Sequence, residues 1–389
     1  MMDGTQKMWS EQANGLKICI VTDAWHPQVN GVVRTLDNLR YELENIGHNV
    51  TMLTPRLFRT IACPTYPEIR LSINAKRRTR QLLSGFKFDA IHIATEGPLG
   101  WAARRWCLKN KVAFTTAYHT AFPEYIAARS PFPARWFYPI FRRFHKASAG
   151  VLVATKTVRT LLRANGFNNI IPWTRGVDTQ LFKPLGCTAP MMELSGLKRP
   201  LQLYVGRVAV EKNIAAFLDC DTPGSKIIVG EGPALETLKA KYPDTCFMGA
   251  KYGEDLAQLY ANADVFVFPS KTDTFGLVII EALAAGTPVA AYPVQGPLDV
   301  LGPDGCGPFP DWHRQIAALD NNLQTAVQKA LTLNRDDCAA FAQNYDWPTV
   351  TRQFISALQI HAPGNIAASR EQKTAPIPLS ACQRGQSPL

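Results

Sequence analysis

Short apolar runs alternate with longer stretches of helical period along most of this chain. Residues 16–21, LKICIV, form a near-continuous apolar run, as expected of a strand buried on both faces of a parallel sheet. A polar loop over 22–31 leads into a helical pattern at 32–46 that stops at Gly47, and 49–53 reads as the next strand. That is a β-α-β unit. Further strands are predicted at 90–94, 112–116 and 150–154, with helical stretches between them. A second series opens after a Gly/Pro-marked connection at 185–190, with strands at 201–205, 225–229, 265–268 and 289–292. The alternation predicts an α/β fold of two doubly wound, Rossmann-like domains in tandem. From about Pro363 the chain is rich in Ser, Gln, Pro and Ala without periodicity, and residues 363–389 read as a disordered tail.

Composition narrows the class. The chain has 389 residues, 46% hydrophobic and 19% charged, which suits a water-soluble globular protein of two domains. No run reaches the roughly 18 to 20 apolar residues that span a bilayer, and the polar opening MMDGTQKMWSEQANG lacks the apolar core of a signal peptide. Nine cysteines stand singly, with neither zinc-finger spacing nor a disulfide framework, so reduced cytosolic thiols are expected. The net charge of +11 is uneven: residues 1–186 carry +15 and the remainder −4. The first half should therefore be drawn to polyanions, either an anionic membrane surface or nucleic acid.

Candidate chemistry gathers just after predicted strands, where open α/β sheets bind ligands. The richest stretch is PSKTDTFGLVIIEALAAGTP, 269–288, with Asp273 in a polar loop and Glu281 inside an apolar helix. A carboxylate in so apolar a run costs several kcal/mol unless something satisfies it, and a sugar or ribose hydroxyl pair would do so. Phe275, Gly276 and Leu277 lie between the two acids, where a glycine lets backbone approach a ligand. Gly206 and Arg207, with Lys212 five residues on, could clamp a diphosphate; two solvated surface cations is the plainer alternative. Gly230 opens a GEGP turn after a strand, and Gly31 opens the first helix, where amides could meet a phosphate. Either glycine could equally be a turn residue. His119 follows the strand at 112–116 and could stabilise charge at a reacting carbon, or be structural. Hydrolase and P-loop signatures are missing, and the one Asp-x-Asp, at Asp219 and Asp221, sits before a Pro-Gly turn and does not read as a metal site.

Together these residues resemble the retaining glycosyltransferases of the GT-B architecture, family 4, over about residues 16–360. The resemblance is carried by the acidic-x7-acidic pair in TDTFGLVIIEALAAGTPV, by GR-x4-K, by VGEGP, by YH-x2-FP (Tyr118, His119, Phe122, Pro123) and by RGVD at 175–178. It implies an acceptor-binding domain over 16–186 and a nucleotide-sugar-binding domain over 198–345, facing an interdomain cleft. It also implies a helix over 346–362 that crosses back. By the same resemblance Glu281 would bind the ribose, Asp273 a donor-sugar hydroxyl, and Phe275, Gly276 and Leu277 would offer backbone amides. Arg207 and Lys212 would hold the diphosphate, Gly31 would close on it, and His119 would sit by the anomeric carbon. The nucleotide-sugar would be a co-substrate, with no cofactor and no metal required. The first acid is often Glu in this family and here is Asp, one methylene shorter, which leaves its sugar contact open.

The basic half suggests the acceptor. Residues 76–80, KRRTR, include Arg77 and Arg78, and PARWFYPIFRRFHK mixes Trp136 and other aromatics with Arg142, Arg143 and Lys146. Cations among aromatics suit an anionic membrane interface; an amphipathic helix with its aromatics in the core is the alternative. With TEGPLG at 95–100, the chain most resembles bacterial enzymes that glycosylate diacylglycerol with glucose or glucuronic acid, the sulfoquinovosyl and mannosyl transferases close behind. The expectation is hexosyl transfer from UDP-glucose or UDP-glucuronate to a membrane lipid, peripherally on the cytoplasmic face of the inner membrane. GDP-mannose-dependent transfer, or transfer to a soluble glycan, is the alternative. A nucleic-acid role is remote, since no RRM, KH or helix-turn-helix signature occurs.

Overall fold

A computed structural model describes residues 15–28, 30–63, 66–119, 122–127, 131–184, 192–273 and 275–360. The expected tail at 363–389, the connection at 185–190, Val29 and Thr274 lie outside the described residues. Strands β1 (Lys17–Val21) and β2 (Asn49–Leu53) pair in parallel, while β3 (Thr60–Cys63) and β4 (Tyr66–Ser72) form a separate antiparallel hairpin. On the other side of β1 come β5 (Ala90–Ile93), β6 (Thr115–Tyr118), β7 (Gly150–Val153) and β8 (Ile170–Pro172), giving the order β2-β1-β5-β6-β7-β8. The second sheet contains β9 (Leu201–Val205), β10 (Ser225–Val229), β11 (Cys246–Phe247), β12 (Val265–Phe268), β13 (Val289–Ala291) and β14 (Ala317–Leu319). Its order is β11-β10-β9-β12-β13-β14, with every neighbouring pair parallel.

The central strands read as apolar runs because both their faces are covered: every residue of β5, β7, β9 and β12 is buried. Contacts group residues 15–33, 43–151 and 357–360 into one compact unit and 34–42 and 152–356 into another. In each sheet the winding reverses beside its first strand, between β1 and β5 and between β9 and β12. Such switch points open a crevice at the carboxyl ends of the strands.

Some strands depart from the expected pattern. β6 starts at Thr115 instead of 112, because the Val112 amide donates to Cys107 O and closes the preceding helix (Pro98–Asn110). β8, β11 and β14 are two- or three-residue strands, too short to show a period. The last helix runs Trp347–Ala357, within the expected 346–362, and Asp346 caps its start by accepting the Thr349 amide at 2.8 Å. Among the described residues, no helix is long and apolar enough to cross a membrane.

Candidate active site

Four loops at the carboxyl edge of the second sheet bring together most of the residues singled out for a donor. After β9 the chain passes through Gly206 and Arg207; after β10 it turns at Gly230. The two turns are laced backbone to backbone, with the Gly206 amide on Val229 O (3.0 Å) and the Val208 amide on Glu231 O (2.8 Å). A Cβ on Gly230 would stand 1.9 Å from Gly206 O, so this glycine is required by the close approach of two chains whatever else it binds. Arg207 is exposed, with Glu211 3.9 Å away. Lys212 turns inward instead. Its ammonium donates to Asp273 Oδ1 at 2.6 Å, both side chains being about three-quarters buried. Asn213 holds the same segment down by donating to Pro269 O at 3.1 Å. The second Asp273 oxygen, Oδ2, is buried with no hydrogen-bond partner among the described residues.

The loop from Asp273 ends at Gly276, whose φ of +82° starts the helix Leu277–Ala284. That left-handed turn is open to glycine at little cost and points the chain sharply into the helix. One turn into it, Glu281 is only 5% exposed. Its Oε2 accepts the Tyr260 hydroxyl at 3.1 Å, and its Oε1 accepts from Arg34 Nη2 at 3.2 Å. Arg34 belongs to the 34–42 stretch of the helix Gly31–Asn45 that groups with the second unit. Burial raises the Glu281 pKa, and Arg34 and the tyrosine hydrogen bond pull it back. The carboxylate in an apolar helix is thus satisfied without a ligand, by partners that no local pattern announced.

The remaining candidates belong to the first unit. His119 follows β6 and is half-buried, next to the buried Tyr118. A second histidine, His145, lies with its ring 5.9 Å from that of Tyr118. His145 is fully buried, Nε2 3.1 Å from Glu96 Oε1 and Nδ1 2.9 Å from Thr116 Oγ1. Gly31 opens its helix as expected, but the amides of Val32 and Val33 are taken by Asn30 Oδ1, each at 3.0 Å. The helix Tyr138–His145 divides its aromatics. Tyr138 and Phe144 are core, whereas Trp136 just before it is 59% exposed and Ile140 55%, beside exposed Arg142, Arg143 and Lys146. Arg77 is exposed and Arg78 half-buried on the helix Ala75–Gly85.

This geometry has known counterparts. Residues 29–181 match the family described as Glycosyltransferase Family 4, and 199–329 match Glycosyl transferases group 1. The GDP-mannose-dependent alpha-mannosyltransferase of Mycobacterium tuberculosis is 30% identical over 88% of this chain and 96% of its own length. The chain belongs to glycosyltransferase family 4. The alpha-monoglucosyldiacylglycerol synthase of Streptococcus pneumoniae is 28% identical over 71% of each protein. Among solved structures, the sucrose-phosphate synthase of Thermosynechococcus elongatus superposes with a TM-score of 0.67 at 21% identity, over 87% of this chain and 97% of that one. The architecture is therefore that of GT-B glycosyltransferases.

Several residues of this glycosyltransferase escaped the sequence reading. Tyr260 and Arg34 carry no motif and reach Glu281 only through the fold. Gly296 backs the Asp273 loop: a Cβ there would stand 2.4 Å from Asp273 O, and the Gly-Pro pair at 296–297 was its only trace. Asp23, after β1, is buried and accepts the Leu99 and Gly100 amides (2.9 and 3.2 Å) and the Thr95 hydroxyl (3.0 Å). Burial pushes its pKa up to about 6 against those hydrogen bonds.

Proposed function

We propose that this glycosyltransferase moves a hexose, with retention, from a nucleotide-sugar bound at the carboxyl edge of the second sheet to a membrane lipid. The observation that carries the donor assignment is the convergence of Lys212, Asp273, the Gly276 turn and Glu281 on one strand edge. A carboxylate with a tyrosine on one oxygen is built to accept hydroxyls, and Lys212 with Arg207 supplies positive charge for a leaving diphosphate. Two such acids serve as hydroxyl clamps, since a retaining front-face transfer needs no carboxylate nucleophile. In this reading the two cations meet the charge of the diphosphate without a metal.

For the donor, GDP-mannose is favoured over the UDP-glucose or UDP-glucuronate expected from the sequence, because the GDP-mannose-dependent relative is matched over nearly its whole length. UDP-glucose is the second reading, supported by the likeness to a glucosyldiacylglycerol synthase. The lipid acceptor is supported by Trp136 and Ile140, which face solvent beside three cations instead of packing inward. The test is a screen of GDP-mannose, UDP-glucose and UDP-glucuronate against vesicles carrying diacylglycerol or phosphatidylinositol, with products read by mass spectrometry. Mannosylated lipid is the expected product; turnover of UDP-glucose alone would restore the second reading. Flotation with anionic vesicles should be lost when Arg142, Arg143 and Lys146 are neutralised. A wild-type protein that never floats would remove the lipid acceptor.

A further inference from the structure

Arg175, the first residue of the RGVD segment, has no assigned role. It is half-buried after β8, its guanidinium carbon 5.8 Å from the centre of the Trp173 ring. Burial alone pushes its pKa down to about 10, with no neighbouring carboxylate to hold it up. Other desolvated arginines in the chain have protein acceptors. Arg104 donates to the carbonyls of Arg143 and Phe144, Arg159 to those of Val153 and Ala154, and Arg335 to those of Ala261 and Ala263. Arg175 has neither a hydrogen bond nor an ion pair among the described residues. A half-buried guanidinium with no protein acceptor leaves its donors open to water or to a ligand that displaces it.

The backbone around it is firmly held. A Cβ on Gly176 would meet the Trp347 ring at 2.4 Å, so the chain lies flat on that indole. The Val177 amide donates to Tyr345 O at 2.8 Å, and the Tyr345 ring packs edge-on against Phe275, centroids 6.4 Å apart. Arg175 therefore sits on the segment that braces the aromatic residue of the donor loop. A planar fork on a stacked ring, rigidly presented and lacking a carboxylate, is suited to a tetrahedral oxyanion that it can grip with two parallel N–H bonds.

We infer that Arg175 is a phosphate-binding residue of this glycosyltransferase, its free N–H donors taking a substrate phosphate as their acceptor. The inference rests on the placement of the donor at Phe275–Glu281, and the bracing of Phe275 favours the diphosphate of the donor as the source. A phosphate in the headgroup of the acceptor has the same chemistry.

The test measures affinities of wild type and Arg175→Gln for GDP, UDP, the corresponding nucleosides, inorganic pyrophosphate and glycerol 3-phosphate. Loss of about tenfold to a hundredfold for the diphosphates, with nucleoside binding unchanged, is expected. Loss confined to glycerol 3-phosphate, with KM raised for phosphatidylinositol but not for diacylglycerol, would assign the phosphate to the acceptor. Wild-type affinity for every phosphate probe in a folded Arg175→Gln protein would overturn the inference. Should that variant melt, Arg175→Lys keeps the charge without the fork; it should lose several-fold in phosphate affinity, and an unchanged value overturns the inference equally. A wild type that binds neither GDP nor UDP would instead defeat the donor assignment, while pyrophosphate and glycerol 3-phosphate still decide on Arg175.

Discussion

Glu281 shows how much one residue depends on partners far away in sequence. Tyr260 and Arg34 hold its two oxygens, and burial still leaves its pKa above the ordinary carboxylate value. Removing the hydroxyl in Tyr260→Phe takes away one of the interactions that favour the ionised form. The acid limb of kcat/KM for the donor should then move to higher pH, with donor KM raised several-fold; an unshifted limb would show that Tyr260 does not act through Glu281. Stability follows the same sign. Because the folded protein binds the Glu281 proton more tightly than the unfolded chain does, ionising it costs stability as pH rises through the folded pKa. Glu281→Gln should therefore abolish transfer while keeping or raising the melting temperature at pH 7, and its advantage over wild type should shrink as pH falls through that range. A large drop in melting temperature at pH 7 would contradict this. Lys212→Ala should also abolish transfer. Its ion pair with Asp273 is largely buried, so leaving that carboxylate unpaired should cost about 1–3 kcal/mol, read as a lower melting temperature of a protein that still folds.

At the scale of elements, two helix starts are set by single residues. Asp23 follows β1 and caps the helix Pro98–Asn110, and Gly97 makes room for it, since a Cβ there would stand 2.4 Å from the carboxylate carbon. Asp23→Ala should orphan two buried amides and cost about 1–3 kcal/mol, read as a lower midpoint in urea. Gly276 sets the other start. Gly276→Ala keeps the composition but places an L-residue at φ +82° with its Cβ 3.0 Å from Ile279 Cδ1 and 3.2 Å from Phe268. It should cost about 1–2 kcal/mol and weaken nucleotide binding more than it lowers the melting temperature. Elements of this length were legible in sequence where period and turn residues agreed, as in β1, β9, β10 and the helix Gly31–Asn45. β8, β11 and β14 were not, because two or three residues paired at or near a sheet edge carry no period of their own. The aromatics around 136–144 could not be sorted by spacing alone. Packing sent Tyr138 and Phe144 inward and left Trp136 and Ile140 outside.

For the whole molecule, the uneven charge is the feature that reaches furthest. With +15 in residues 1–186, attachment to anionic vesicles should weaken steeply with salt, as the screening length falls from about 10 Å at 0.1 M to about 3 Å at 1 M. Trp136→Ala should lower vesicle affinity while leaving that salt dependence intact, because it removes apolar contact and no charge; flotation of the variant across a salt series measures both. The sequence by itself determined the two-sheet α/β class and the family, and singled out Asp273, Glu281, Arg207 and Lys212 as candidates. Alternating apolar runs and post-strand glycines are local properties, and an acid placed eight residues after another is visible in the chain. The tertiary structure alone decided the partnerships: Lys212 with Asp273, Tyr260 and Arg34 with Glu281, Asp23 with a helix 75 residues on, and an Arg175 left without an acceptor. Those depend on which distant segments share a strand edge, and burial turns an ordinary side chain there into one whose charge must be met.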